Sequence, residues 1–214
     1  MQAVIFDMDG VILESEPLHD QAIRIVFEQH RFNANEEDLA TMLNDFRGRT
    51  DVDAWNYSIE KFAITESLED LLHWKAEEFL KIVANETLVL MDGLQNVFDS
   101  LKTEYPIALA SSSPYSAINA IVDCLQIRDV FTAIVSGEDV EHGKPAPDIF
   151  LLAAQQLGLL PEECVVLEDS RNGVLAANAA GMRSIGYKGS PSNKQDLSEA
   201  NTVINHFDEL LDIL

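Results

Sequence analysis

From residue 88 onward the chain keeps returning to one pattern: a short, unbroken aliphatic run followed by an amphipathic stretch. The runs are Ile107–Ala110, Ala133–Val135, Val165–Leu167, Ser184–Tyr187 and Thr202–Ile204. Strands that read as continuous apolar runs, without alternation, are covered on both faces, as in a parallel sheet. Helical patterns fill the intervals, at Leu94–Leu101, Tyr115–Leu125, Asp148–Leu157, Gly173–Ala180 and Phe207–Leu214. Gly158 and Gly181 stand where helix C-caps belong, and Pro114 stands at a helix start. Strand and helix in strict turn predict an α/β fold with a parallel sheet wrapped by helices.

A further strand of the same character, Ala3–Phe6, is separated from the others by a long segment with no strand pattern. That segment predicts helices over Pro17–His30, Glu36–Leu43, Val52–Phe62 and Leu68–Val83, and Phe27, Trp55, Phe62, Trp74 and Phe79 are numerous enough for a small core of their own. The expected organisation is a sheet core made of residues 1–14 and 86–214, with residues 15–85 inserted after the first strand. A chain of 214 residues accommodates one sheet core and such an insertion.

Charge narrows the partners. The formal net charge of −23 argues against nucleic acid, which is gripped by basic patches. No apolar run approaches a membrane span, and the N-terminal one is too short for a signal peptide. Cys124 and Cys164 are each followed by aliphatic residues and read as reduced core sulfur, which points to the cytoplasm.

The polar residues that follow the strands carry the chemistry. Ala3–Phe6 runs into Asp7 and Asp9; Ile107–Ala110 into Ser111 and Ser112; Val165–Leu167 into Glu168 and Asp169; and the segment after Ala133–Val135 carries Lys144 before Pro145. In a parallel sheet these positions share one edge, the edge where ligands bind. Taken singly, each has an ordinary structural use: Asp9–Gly10 as a turn, Ser113 as the N-cap before Pro114, Ser170 as a cap, Lys144 as a solvated loop lysine. Their coincidence at several strand ends points to a site.

Four carboxylates in one crevice repel by about 4 kcal/mol per close pair at a typical effective dielectric. Proton sharing, a buried lysine or a cation can relieve this. A hard divalent ion with oxygen ligands, Mg²⁺, suits carboxylates and a phosphate best. The five histidines show no zinc-ligand spacing. With the metal and Lys144 supplying positive charge, an acidic pocket accepts a phosphoryl group.

As a set, "VIFDMDGVI" with Asp7 and Asp9, "IALASSS" with Ser111, "GKPAPDIF" with Lys144, and "VVLEDSRNG" with Glu168 and Asp169 resemble the haloacid dehalogenase superfamily. More narrowly they are similar to its β-phosphoglucomutase-like branch of sugar-phosphate phosphatases and mutases. The resemblance implies a Rossmann-like parallel-sheet core with an inserted α-helical cap domain. It implies that Asp7 attacks phosphorus to form an aspartyl-phosphate and that Asp9 serves as general acid, then base. It further implies Mg²⁺ held by Asp7, the Asp9 backbone carbonyl and Asp169, with Glu168 beside or on the metal. Ser111, Ser112 and Lys144 would bind the transferring group. In the cap, His19, Arg47, Arg49, Thr50 and Lys75 resemble substrate-facing residues, "RGRT" at 47–50 resembling a specificity loop. The partner implied is a small phosphorylated metabolite, and a monomer is the expectation.

The mutases of this branch carry a basic residue soon after the motif serine and an arginine just past the cap-loop glycine. Here Pro114 and Asp51 take those places. The expected activity is therefore hydrolysis of a small phosphorylated sugar or polyol, with hexose phosphomutase as the alternative.

Overall fold

A computed structural model describes residues 1–45, 51–191 and 194–214, so Arg47, Arg49 and Thr50 lie outside the described residues. Two compact units emerge: Met1–Glu14 with Leu88–Leu214, and Ser15–Thr87.

The first unit is built on six parallel strands: β1 (Ala3–Phe6), β2 (Ile107–Ser111), β3 (Ala133–Ser136), β4 (Cys164–Glu168), β5 (Arg183–Tyr187) and β6 (Thr202–Ile204), in the order β3-β2-β1-β4-β5-β6. The expected α/β parallel sheet is present. Every residue of β1, β2 and β4 is buried, which is why these strands read as uninterrupted aliphatic runs. Strand pleat sorts their side chains. Ala3 and Ile5 join Ala108, Ala110 and Val166 in a cluster with Ile149, Phe150 and Ala153 of the helix Asp148–Leu157 and with Ala176 and Ala177 of the helix Arg171–Ala179. Phe6 points the other way and meets Phe98 of the helix Leu94–Leu101 edge-on, ring centroids 5.4 Å apart. Truncating a buried Phe such as this to Ala costs about 3–5 kcal/mol.

Strand order fixes where function can sit. β1 is flanked by β2, which leads outward to β3, and by β4, which leads outward to β5 and β6. The chain therefore winds in opposite directions from the β1–β4 junction, and a crevice opens beyond the carboxyl ends of those two strands. Their ends are in register: Phe6 pairs with Leu167, so Asp7 and Glu168 leave the sheet side by side.

Among the described residues the second unit holds four helices, α1 (Glu16–Gln29), α2 (Glu36–Asp45), α3 (Asp51–Phe62) and α4 (Leu68–Asn85). The remaining α-helices among the described residues are α5 (Leu94–Leu101), α6 (Tyr115–Cys124), α7 (Asp148–Leu157), α8 (Arg171–Ala179) and α9 (Asp208–Ile213), all in the first unit. Pro17 falls in the first turn of α1, where its missing N–H costs nothing, and Ser67 caps α4 by accepting from the Asp70 N–H. Phe27, Trp55 and Leu71 centre a core separate from the sheet, with Phe62 and Trp74 at its margin. Among the described residues no helix is long and apolar enough to cross a membrane.

The sequence expectation fails at one cysteine. Cys164 opens β4 and is buried, but Cys124 ends α6 and is exposed; both thiols are free. Leu125 after Cys124 is a poor guide, because one helical step turns a side chain by about 100°.

Candidate active site

Asp7 leaves β1 with its N–H donated to the Leu167 carbonyl, so its side chain emerges at the β1–β4 crevice. The chain then turns sharply: the N–H groups of Val11 and Ile12 return to the Met8 carbonyl, and that of Gly10 to Leu13. Met8 is fully buried. Gly10 adopts φ +75°, and a Cβ there would stand 2.1 Å from Oδ2 of Asp169. Glycine is thus required twice over, by the backbone and by the carboxylate pressed against it.

Lys144 reaches the same point from the loop before α7. Its Nζ donates to Oδ1 of Asp7 at 2.6 Å and to Oε1 of Glu168 at 2.5 Å, and lies 4.9 Å from the centre of the Phe150 ring. The Lys144–Pro145 peptide bond is cis. Glu168, fully buried at the end of β4, also accepts from the N–H and hydroxyl of Ser170 at 3.0 and 2.9 Å. Ser170 in turn caps α8 by accepting from the Gly173 N–H, which is the capping use its sequence context suggested. A Cβ on Gly173 would stand 1.9 Å from Glu168. The glycine in the first turn of α8 makes room for the acid.

From β2, Ser111 is fully buried and Ser112 is exposed. The Ser111 hydroxyl accepts from the Ser113 N–H at 3.1 Å and lies 3.5 Å from Oδ2 of Asp9. Ser113 corrects the sequence expectation. The N-cap position of α6 belongs to Pro114 and has no side-chain cap, and the Ser113 hydroxyl is instead donated to Oδ2 of Asp9 at 3.0 Å. The helix begins one residue later than the cap reading requires, which leaves the Ser113 hydroxyl to turn toward Asp9.

Asp7, Asp9, Ser111, Lys144, Glu168 and Asp169 thus surround one place. Four carboxylates and one ammonium leave it a formal charge of −3. The pocket responds by retaining protons. Burial, then the charges of Glu168 and Asp9, push Asp7 up to about 8 in spite of Lys144. Burial and the charges of Glu168, Asp7 and Asp9 likewise hold Asp169 well above the usual carboxylate range. Burial pulls Lys144 downward, but Asp7 and Glu168 outweigh it and keep the ammonium charged. Carboxylate oxygens of Asp7, Glu168 and Asp169 lie within 4.8 Å of one another, close enough to share a cation. Only hard oxygen donors are offered, and an added positive charge would let both raised aspartates ionise. The donor set therefore fits a small divalent cation.

In the helical unit, the buried Lys75 of α4 donates to Oδ2 of Asp51 at 2.7 Å and lies 2.7 Å from Nδ1 of His19, whose ring stacks on Phe79 at 4.4 Å between centroids. The partnership of Asp51 with Lys75 was not visible in the sequence, because 24 residues separate them.

Carboxylates gathered where a doubly covered parallel sheet changes winding direction, with burial holding their protons, define an α/β enzyme. The chain belongs to the haloacid dehalogenase-like hydrolase family, whose sequence profile matches residues 1–181. It is 34% identical over 217 residues to the phosphorylated carbohydrates phosphatase of Thermotoga maritima, covering 100% of this chain and 98% of that protein. It is 35% identical over 185 residues to the fructose-1-phosphate phosphatase YqaB of Escherichia coli (strain K12), covering 85% and 94%. The crystal structure of CbbY from Rhodobacter sphaeroides in complex with phosphate shares the fold with a TM-score of 0.86 at 26% identity, covering 98% of this chain and 96% of that one.

Proposed function

We propose that the chain is a Mg²⁺-dependent phosphoric monoester hydrolase that acts on small phosphorylated sugars or polyols by way of an aspartyl-phosphate on Asp7. The observation that carries this is the placement of Asp7: a buried carboxylate bonded to Lys144, beside Glu168 and Asp169, with Asp9 two residues on. The phosphatases of T. maritima and E. coli support the substrate class.

Asp7, Glu168 and Asp169, with the Asp9 backbone carbonyl, would hold the ion. When bound, it supplies charge that keeps Asp7 ionised and offsets the phosphoryl oxygens. Lys144, already in contact with Asp7, draws a phosphoryl oxygen toward the same carboxylate, and the buried Ser111 hydroxyl donates to another. A carboxylate oxygen of Asp7 attacks phosphorus; the new acyl O–P bond forms as the ester O–P bond breaks, and Asp9 gives its proton to the departing oxygen. Asp9 then takes a proton from water, which attacks phosphorus and restores the Asp7 carboxylate with release of inorganic phosphate. One residue makes the bond and the other handles protons, which accounts for two acids two positions apart.

A phosphomutase must return the phosphoryl group to a second position, for which positive contacts to a bisphosphate serve. Asp51 places a carboxylate, bonded to Lys75, where the mutases of this branch carry an arginine, and this favours hydrolysis. The free thiols of Cys124 and Cys164 suit a reducing, cytoplasmic setting, and the protein would act as a monomer.

The test is phosphate release from a panel of phosphorylated sugars and polyols with Mg²⁺. Release should stop with EDTA and in Asp7→Asn. Activity that survives Asp7→Asn rejects the mechanism, and faster interconversion of β-glucose 1-phosphate and glucose 6-phosphate than phosphate release rejects the phosphatase.

A further inference from the structure

We propose that Phe150 is a positioning residue for Lys144, holding the ammonium through the face of its ring so that one N–H stays available to the transferring phosphoryl group. This rests on the phosphatase mechanism above.

The Lys144 ammonium donates to Oδ1 of Asp7 at 2.6 Å and to Oε1 of Glu168 at 2.5 Å, and the Phe150 ring lies beneath it, 4.9 Å from Nζ to the ring centre. Its remaining acceptor, the Ala110 carbonyl at 3.4 Å, is at the edge of hydrogen bonding. The ring itself is fixed. Phe150 is fully buried in the core cluster that holds Ile5 of β1, Ala108 and Ala110 of β2 and Ala153 of α7, and such cores are close-packed. The chain between lysine and ring turns tightly: the Ala146 N–H is donated to the Gly143 carbonyl, and the Phe150 N–H to that of Pro147 as α7 begins. The helix that follows the lysine thus supplies the surface on which its ammonium rests.

An ammonium has three N–H groups. Asp7 and Glu168 take two, and the third, weakly held by Ala110, is the one a phosphoryl oxygen can claim. A carbonyl or carboxylate in the place of the ring would compete for that donor. The negative face of an aromatic ring attracts the ammonium as a charge and claims no N–H of its own. An aliphatic side chain of the same size would fill the space without attracting anything. The carboxylates alone do not suffice, because Asp7 loses its negative charge when it bonds to phosphorus and its grip on Lys144 then weakens. The ring keeps its hold through both displacements, so the ammonium stays in register with the phosphoryl group.

Fluorination separates attraction from packing, because each fluorine drains the negative face of the ring while adding little volume. Full-length protein with Mg²⁺, carrying phenylalanine with one, two or three ring fluorines in place of Phe150, is assayed on fructose 1-phosphate and on p-nitrophenyl phosphate. On both esters kcat/KM should fall stepwise with each fluorine, since Lys144 serves the phosphoryl group they share. Phe150→Leu should lose roughly 10- to 30-fold, the span of a desolvated cation–π contact. The fluorinated rings should also lower Tm stepwise when Lys144 is present and leave it level in Lys144→Met, because the contact needs both partners. Should Phe150→Leu fold poorly, the fluorinated rings decide alone. Equal activity with every ring, or a Tm that falls as steeply in Lys144→Met, overturns the proposal while leaving the phosphatase standing. A wild-type protein that hydrolyses neither ester, or an Asp7→Asn protein that still does, overturns the mechanism and the role of Phe150 together.

Discussion

Replacing Lys144 with Met keeps most of the side-chain volume and removes the ammonium that joins Asp7 to Glu168. A contact between two charges is worth about 4 kcal/mol of attraction at an effective dielectric of about 20; with Asp7 protonated below about 8, the gross loss is about 4 kcal/mol there, from Glu168, and nears about 8 kcal/mol only as Asp7 ionises. Desolvating the ammonium offsets much of that, since Lys144 is only 7% exposed, and breaking a buried pair from one side typically costs about 3–5 kcal/mol net. For a chain of this size that lowers Tm by roughly 6–20 °C. The loss depends on pH, and its sign is set by Asp7. That group takes up its proton at about 8 in the folded protein and at the ordinary aspartate value of 3.8 unfolded. Between those values the folded state holds the extra proton, so stability falls as pH rises. Without Lys144 the aspartate is pushed higher still, and the deficit of Lys144→Met should widen from pH 5.5 to pH 8. Thermal melts in EDTA followed by far-ultraviolet circular dichroism report it. Tryptophan emission does not serve, because Trp55 and Trp74 both lie in the helical unit. A deficit equal at the two pH values, or a variant as stable as wild type, refutes the electrostatic reasoning.

Mg²⁺ binding should release protons near pH 7, because Asp7, held at about 8, must ionise to serve as a ligand; affinity then rises with pH up to about 8. Titration calorimetry in two buffers of different ionisation enthalpy counts the protons, and a count of zero contradicts the assignment. Gly173→Ala puts a methyl group 1.9 Å from Glu168 and should abolish Mg²⁺-induced stabilisation, seen as a Tm that no longer responds to the ion. A thiol reagent should titrate Cys124 at once in the native protein and Cys164 only after denaturation, since burial also raises the Cys164 thiol pKa; two fast thiols would contradict the placement.

What could be read in advance follows from how each residue acts. The strands were legible because central parallel strands are buried on both faces and leave an uninterrupted aliphatic signal. Their ends were not, and Ser111, Ser136 and Glu168 prolong β2, β3 and β4 because backbone pairing continues beneath polar side chains. The acids and Lys144 could be grouped because a parallel sheet delivers strand ends to one edge. Contacts that depend on three-dimensional competition stayed hidden. Ser113 had a sound local use as a cap, whereas its contact with Asp9 spans 104 residues of sequence, and Asp51 meets Lys75 only through the packing of α3 and α4. Gly10 and Gly173 looked like a turn residue and a weak helix former. Their purpose, space for Asp169 and Glu168, is visible only when the carboxylates are in place.

The covalent role of Asp7 is tested most directly by stereochemistry at phosphorus. A thiophosphate monoester made chiral with one oxygen isotope is hydrolysed in water carrying another, and the configuration of the inorganic thiophosphate is determined. Two successive in-line displacements, first by Asp7 and then by water, predict net retention. Inversion would mean that water attacks the ester directly and that Asp7 never bonds to phosphorus.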